Sequence, residues 1–185
     1  MHLKYKILII IIILIFSIIL FKITQRIKIR NLLIKLLNKF DQNKIKYWID
    51  FGSLLGVIRE QDIIFGDNDG DVCILEDDEE NIVKVKQTVE EMQGEFFKWG
   101  AFRVYDCKII FIDIFLVKKN GSNLSFPGEE MIIPQEYILP TEKKYVKIGG
   151  KSLLVSLPKN PVELLELRYG KTWNVPQYKW YKLYF

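Results

Sequence analysis

The run from Ile7 to Phe21 is apolar at every position except Ser17, so a helix built from it has no polar face. Leu3 and Ile23 extend the run, and Lys4, Lys6 and Lys22 flank it with side chains long enough to reach water. The extended run reaches the roughly 20 residues that a spanning helix needs. A helix buried in a protein core is the competing reading. A cleaved leader would need a small-x-small site, and none follows Phe21. At Ile27 the pattern changes. Ile29, Leu32, Leu33, Leu36, Leu37 and Phe40 recur along one helical stripe. Three segments are therefore expected: a membrane anchor over residues 1–26, an amphipathic helix or stem over 27–44, and a folded domain over 45–185.

Within the domain the periodicity alternates between the two kinds of element. Tyr47 to Phe51 reads as a short strand, Gly52 to Arg59 as a helix, and Val72 to Leu75 as a buried strand. Asp77 to Met92 reads as a solvated helix with Ile82, Val85, Val89 and Met92 on its inner side. Strands are expected at Glu95–Trp99, Phe102–Tyr105 and Lys108–Val117, and a loop from Asn120 to Pro127. Tyr145 to Val155 suggests a hairpin turning at Gly149-Gly150. Pro161 to Tyr169 is a last helix, opened by proline and closed by Gly170.

The chemistry concentrates in Gly66-Asp67-Asn68-Asp69-Gly70-Asp71, which runs directly into Val72-Cys73-Ile74-Leu75. A solvated acidic turn accounts for Asp, Asn and Gly at such a place. A site for a hard divalent cation accounts for Asp69 and Asp71 together, because Mg²⁺ takes carboxylate oxygens plus substrate phosphates. Asp113 sits inside the apolar strand Ile109 to Leu116, where an unpaired carboxylate is expensive. Either a shared metal or a buried Lys or Arg would hold it ionised. Upstream, Gly52 and Ser53 stand at a strand-to-helix turn. Backbone N–H groups approach a phosphate there, and Ser53 can cap the helix or donate to a phosphate oxygen. Arg59 offers a fork to phosphate or a structural brace.

Read in order, these segments resemble the LicD/fukutin family, and within it the fukutin-related members. The family pattern is Gly-Ser or Gly-Thr, Leu-Leu-Gly, a small residue and Arg, followed after a short loop by the acids. Here it is met by Gly52-Ser53-Leu54-Leu55-Gly56-Val57-Ile58-Arg59 and then Asp67, Asp69 and Asp71. Phe111-Ile112-Asp113-Ile114-Phe115 looks like the family's aromatic-Ile-Asp-Ile-Phe strand, and Tyr169-Gly170-Lys171-Thr172-Trp173 like its terminal Tyr-Gly-x-x-Trp segment. The likeness spans about Ile45 to Pro176. The chain departs from the pattern at Phe65-Gly66, where the family has Pro-Trp, and at Asn68 and Gly70.

The resemblance implies an α+β fold: a nucleotidyltransferase-like mixed sheet with flanking helices, here preceded by one transmembrane helix. It also implies a metal-dependent transferase using Mg²⁺ or Mn²⁺. Such an enzyme moves a substituted phosphate, of ribitol-phosphate or phosphocholine type, from a CDP-activated alcohol to a glycan or glycoprotein hydroxyl. On this reading Asp69, Asp71 and Asp113 are the catalytic and metal-binding acids, and Gly52, Ser53 and Arg59 bind phosphate. Tyr169 and Trp173 stack on substrate or pack in the core. Two other readings share the motifs: a nucleotidyltransferase acting on a small acceptor, and an inactive membrane-anchored binding module marked by Phe65, Gly66 and Gly70.

Composition narrows the field further. The 185 residues carry a net charge of +4 and a single histidine, His2, ahead of the apolar run. Histidine-based catalysis in the domain is excluded, and proton transfer falls to carboxylates or metal-activated oxygen. Cys73 and Cys107 make no zinc spacing. No basic stripe interleaved with aromatics suggests a nucleic-acid partner. Lys22, Arg26, Lys28, Arg30 and Lys35 follow the run and favour a cytosolic domain. The overlapping sequons at Asn120 and Asn123, and the secretory-pathway placement that the resemblance to eukaryotic members implies, favour a lumenal one, of Golgi or ER type, and the lumenal placement is the expectation.

Overall fold

In a computed structural model, which describes residues 2–97, 100–128 and 130–176, the segments expected as anchor and stem form one helix. This helix, α1 (His2–Gln42), is continuous, so no break falls at residue 26. Its apolar half is exposed from Tyr5 through Phe21, and burial begins at Gln25. Ile29, Leu33, Leu36 and Phe40 are then fully buried against the domain. The stripe from Ile27 to Phe40 therefore packs as its spacing predicts. Among the described residues this is one helix long and apolar enough to cross a membrane.

The chain continues through β1 (Trp48–Ile49), α2 (Phe51–Glu60), β2 (Asp69–Leu75), α3 (Glu79–Glu91), β3 (Glu95–Phe97), β4 (Ala101–Cys107) and β5 (Ile110–Asn120). Short strands β6 (Asn123–Ser125) and β7 (Ile132–Pro134) follow, then the hairpin β8 (Glu142–Ile148) and β9 (Lys151–Leu157), and finally α4 (Pro161–Tyr169). The main sheet has the order β1-β2-β5-β4-β3. Among the described strands of this path only β2 and β5 are parallel; the other pairs are antiparallel. The last two residues of the expected Glu95–Trp99 strand, Lys98 and Trp99, lie outside the described residues.

Three differences from the sequence reading have local causes. The expected loop from Asn120 to Pro127 contains β6, which pairs with β5 and β7. A strand of three residues in polar sequence shows no apolar alternation to betray it. Asn120 is exposed at this turn, whereas Asn123 is half-buried in β6. The C-terminal hairpin is longer at both ends than Tyr145–Val155, with Gly149 and Gly150 at its turn, at φ +59° and +83°. The solvated helix starts at Glu79, because Asp78 caps it by accepting from the Asn81 N–H.

The α2–β2 connection is held by α1. Arg30 donates to both carboxylate oxygens of Asp62, at 2.7 and 2.5 Å. Arg26 reaches Glu60 at 3.1 Å and the Ile63 carbonyl at 2.5 Å. Gly56 makes this packing possible, since a Cβ there would lie 2.5 Å from the Asp62 carbonyl oxygen and 3.0 Å from the Ile64 nitrogen. Those neighbours are backbone and cannot swing aside. Gly56→Ala is expected to lower unfolding free energy in urea by about 1–3 kcal/mol, the range for overpacking a tight contact. An unchanged midpoint would mean that the connection shifts freely.

Candidate functional site

The corner between β1 and α2 is built on Asp50. Its side chain accepts from the Phe51 N–H at 2.8 Å, from Trp48 Nε1 at 3.0 Å and from Arg168 Nη2 at 3.1 Å. Both partners of the Asp50–Arg168 pair are almost wholly buried, and the Arg168 guanidinium lies 4.0 Å from the Phe51 ring centroid and 4.5 Å from that of Phe126. Phe51 adopts φ +48°, a left-handed conformation that a bulky side chain rarely takes. This strained corner aims the start of α2 at the acids.

Asp71 of β2 registers directly opposite Asp113 of β5, and Asp69 opposite Phe111. Side chains alternate along strands, so Asp69, Asp71 and Asp113 share one sheet face. Ser53 locks β2 to α2 reciprocally: its Oγ accepts from the Asp71 N–H at 2.8 Å, and its own N–H donates to Asp71 Oδ2 at 3.3 Å. Positive charge at the helix start favours this carboxylate. A Cβ on Gly52 would lie 2.9 Å from Asp67 Oδ2 and 3.2 Å from Asp71 Oδ2, so glycine admits the acids to the helix end. Gly70 has its own reason: a Cβ would meet Ile112 Cδ1 at 2.6 Å and Ser53 Oγ at 3.2 Å.

Asp113 is held by a partner that the sequence reading left unnamed. Arg103 of β4 stands opposite it in register and donates from Nε at 2.5 Å and from Nη2 at 2.7 Å. The guanidinium is stacked between the Phe97 and Phe111 rings, 3.8 Å from each centroid. Of the two ways foreseen to hold Asp113 ionised, the structure shows the ion pair. A hairpin turning near Lys108 places residues 103 and 113 opposite one another, and this was the available signal. A cavity of about 550 Å³ adjoins Arg103, lined also by Glu95, Phe97, Tyr105, Cys107 and Lys108.

The second unforeseen member is Asp67. Burial, then the Asp69 carboxylate, push its carboxyl up to about 7, and it shares a hydrogen bond with Asp69. Burial chiefly, with Asp113 contributing, raises the pKa of Asp69. Burial and then Asp69 and Asp67 raise that of Asp71 well above the usual carboxylate range. Among the described residues, no three His, Cys, Asp or Glu side chains close around one point as a ready-made metal shell. Crowded carboxylates without a countercharge are pushed toward protonation or turn to cations: burial and Asp69 raise the pKa of Asp67, and Asp113 takes Arg103. The donor set is one of hard carboxylate oxygens, drawn together where glycine at 52 lets Asp67 and Asp71 approach the helix end. Hard oxygens of this kind are the ligand type that Mg²⁺ takes.

The remaining expected site residues lie elsewhere. Arg59 is near the far end of α2, where it donates to the Trp173 carbonyl at 3.2 Å and to Glu60 at 2.9 Å. It braces the C-terminal segment, and the structure does not bring it to the acids. Trp173 packs against the core, while Tyr169 is 42% exposed at the end of α4.

A mixed sheet with two acids on one strand, a third on its parallel neighbour and a Gly-Ser helix start beside them defines an α+β domain of the nucleotidyltransferase class. The lincosamide adenylyltransferase LnuA, solved with lincomycin bound, shares the fold: TM-score 0.51, 12% identity, 83% of this chain and 92% of that one. The chain belongs to the LicD/FKTN/FKRP family, whose nucleotidyltransferase domain matches residues 44–160. It is similar to the uncharacterized protein RP689 of Rickettsia prowazekii, 31% identical over 134 residues, or 69% of this chain and 48% of that protein. It is also similar to the uncharacterized protein RT0683 of Rickettsia typhi, 37% identical over 84 residues, or 42% of this chain and 25% of that protein. The chain thus spans about half or less of the length of these curated relatives.

Two outcomes follow from the electrostatics. Asp113→Asn strands the Arg103 guanidinium in its aromatic slot and should lower stability by about 2–3 kcal/mol in chemical denaturation. An unaffected midpoint would show that the pair carries no net stabilisation. Asp67 has a folded pKa of about 7 against an ordinary 3.8, so its contribution is present in full below 3.8 and is lost as pH rises through 7. Without divalent ions, the melting-temperature advantage of Asp67→Asn over wild type should therefore grow between about pH 4 and pH 8. A constant difference across that window would contradict the raised value.

Proposed function

We propose that the domain is a divalent-cation-dependent transferase that moves a substituted phosphate from a CDP-activated alcohol to a hydroxyl acceptor. The observation that carries this reading is the register placing Asp71 beside Asp113, with Asp69 one pleat away and the α2 N-terminus at Gly52 and Ser53 facing them. In the reaction the acceptor oxygen bonds to the phosphorus that bears the alcohol. The bond from that phosphorus to the oxygen bridging the diphosphate breaks, and CMP leaves with the electron pair.

Asp69 and Asp71 would hold a cation, which when bound offsets the charge of the donor diphosphate. The N–H groups at the start of α2 offer positive charge to phosphate oxygens. Ser53 keeps its hydroxyl proton for donation, since its oxygen accepts from the Asp71 N–H. The acceptor's proton passes to a carboxylate, as His2 is the sole histidine. Asp113 takes that proton only after the Arg103 fork opens, because both its oxygens are engaged. Arg103 then has N–H groups to turn toward phosphate. Family membership and the shared fold support phosphate or nucleotidyl transfer; the CDP-alcohol donor and the glycan acceptor are this reading's own extension. The exposed apolar half of α1 supports a single-pass membrane anchor.

The test is CMP release from CDP-ribitol and CDP-choline by the full chain in detergent with Mn²⁺, with sugar acceptors present. Asp69→Asn and Asp71→Asn are each expected to reduce turnover at least about 100-fold while the protein stays folded. Near-normal turnover in either variant would defeat the assignment. Pyrophosphate release from a nucleoside triphosphate, with no CMP from either alcohol, would favour nucleotidyl transfer to a small acceptor. Inertness toward every donor would leave a binding module.

A further inference from the structure

The domain is bound to α1 in a way that fixes the height of its acids above the apolar run. Lys22, next after Phe21, reaches the Gly66 carbonyl at 3.5 Å, one residue before Asp67. Arg26 bonds the Ile63 carbonyl, and Ile29 lies 3.8 Å from where a Cβ on Gly70 would be. Lys28 pairs with Asp106 at 2.9 Å, beside the β4–β5 turn. Further along the helix, Lys39 pairs with Glu91 at the end of α3, and Phe40 packs on Tyr47. The acid-bearing ends of β2 and β5 thus sit at the near end of the domain, and α3 ends at the far side.

Helix rise converts these contacts into depth. Ile29, level with Gly70, is seven residues past Lys22, or about 10 Å along the axis. The polar headgroup zones add roughly 5–8 Å to each side of the hydrocarbon core. The acids are therefore held at the headgroup level or just above it. Two exposed apolar side chains lie at the same end, Phe65 at 39% and Ile109 at 53%. Lys108 adjoins Ile109, and a cation beside an apolar side chain suits the interface between water and lipid.

We infer that the carboxylate site works against the bilayer surface and takes its acceptor hydroxyl from a membrane-embedded amphiphile, a saccharide carried on a lipid tail. This rests on the transferase and membrane-anchor readings and names their acceptor class. A freely soluble acceptor gains nothing from a site pinned at this height. An acceptor whose sugar is held at the headgroups is confined to the plane the site occupies, which raises its effective concentration there.

The experiment has two arms, both on the full chain in nanodiscs. In the first, a nitroxide is attached at Phe65→Cys or Ile109→Cys in a Cys107→Ser background, with Val83→Cys on α3 as the solvent reference. Depth by power saturation should place the first two labels at the headgroups and the third in bulk water. Bulk-water accessibility at both Phe65 and Ile109 overturns the placement. In the second arm, two Glu-Ala-Ala-Ala-Lys repeats are inserted between Phe21 and Lys22, which lifts the domain about 15 Å without touching its contacts. CMP release is compared for a long-chain alkyl glycoside in the nanodisc and the methyl glycoside of the same sugar in solution. The expected result is at least a tenfold loss on the long-chain acceptor and none on the soluble one. Equal kcat/KM for the two acceptors in the wild type, or no loss on insertion, overturns the acceptor class. No CMP release on either acceptor would instead be the failure of the transferase reading, with the depth arm still deciding the placement.

Discussion

Mutual repulsion among carboxylates governs the acidic end of this sheet, and neighbouring elements are arranged to answer it. Asp67, Asp69, Asp71 and Asp113 meet where β2 and β5 run side by side. Each finds a different relief. Asp67 has its proton affinity raised by burial and by Asp69, with which it shares a hydrogen bond. Asp71 takes N–H donation from Ser53 at the start of α2. Asp113 takes the fork of Arg103. Each answer also positions a structural element: Ser53 ties α2 to β2, and Arg103 fixes the register of β4 on β5. A polar site thereby organises its own scaffold, and the repulsion left over favours a cation or a phosphate-bound metal entering from outside.

A second layer keeps the first in place. Asp50 and Arg168 form a buried pair at the foot of α2, with aromatic rings against the guanidinium. This pair joins the first turn of α2 to α4, which is more than a hundred residues away in the chain. At the other end of α2, Arg59 holds the Trp173 carbonyl. The helix that presents Gly52 and Ser53 is thus clamped at both ends by arginines, Arg168 reaching in from α4 to Asp50 and Arg59 reaching out to the Trp173 carbonyl. Arg59, three residues after Gly56 of Leu54-Leu55-Gly56, and Trp173 of the Tyr-Gly-x-x-Trp segment are two halves of one contact here.

Much of this was legible in the sequence, and the reasons are local. The apolar stripe of α1, the acids at the head of β2 and the buried aspartate of β5 are each marked by a residue type out of keeping with its surroundings. Gly149-Gly150 and Pro161 with Gly170 announce their turns by backbone preference alone. The partners of those residues were not legible, because pairing is a property of register. Arg103 is an ordinary cation in a short strand until β4 lies against β5. Asp67 reads as a turn residue until burial and Asp69 change its proton affinity. Asp50 and Arg168 are remote in sequence and carry no periodic signal. Strand β6 was hidden by its brevity, and the continuity of α1 by the change of composition at Ile27.

That continuity has a mechanical consequence. No proline or glycine interrupts His2–Gln42, so nothing in the helix marks a hinge between its exposed apolar half and the half buried in the domain. The domain is carried as the head of a stiff mast about 60 Å long. A spanning helix meets a thinner bilayer by tilting. A tilt of the lower half swings the upper half by the same angle, and the head with it. Bilayer thickness would then set the angle at which the head addresses the lipid plane, a mechanical input from the solvent that involves no ligand.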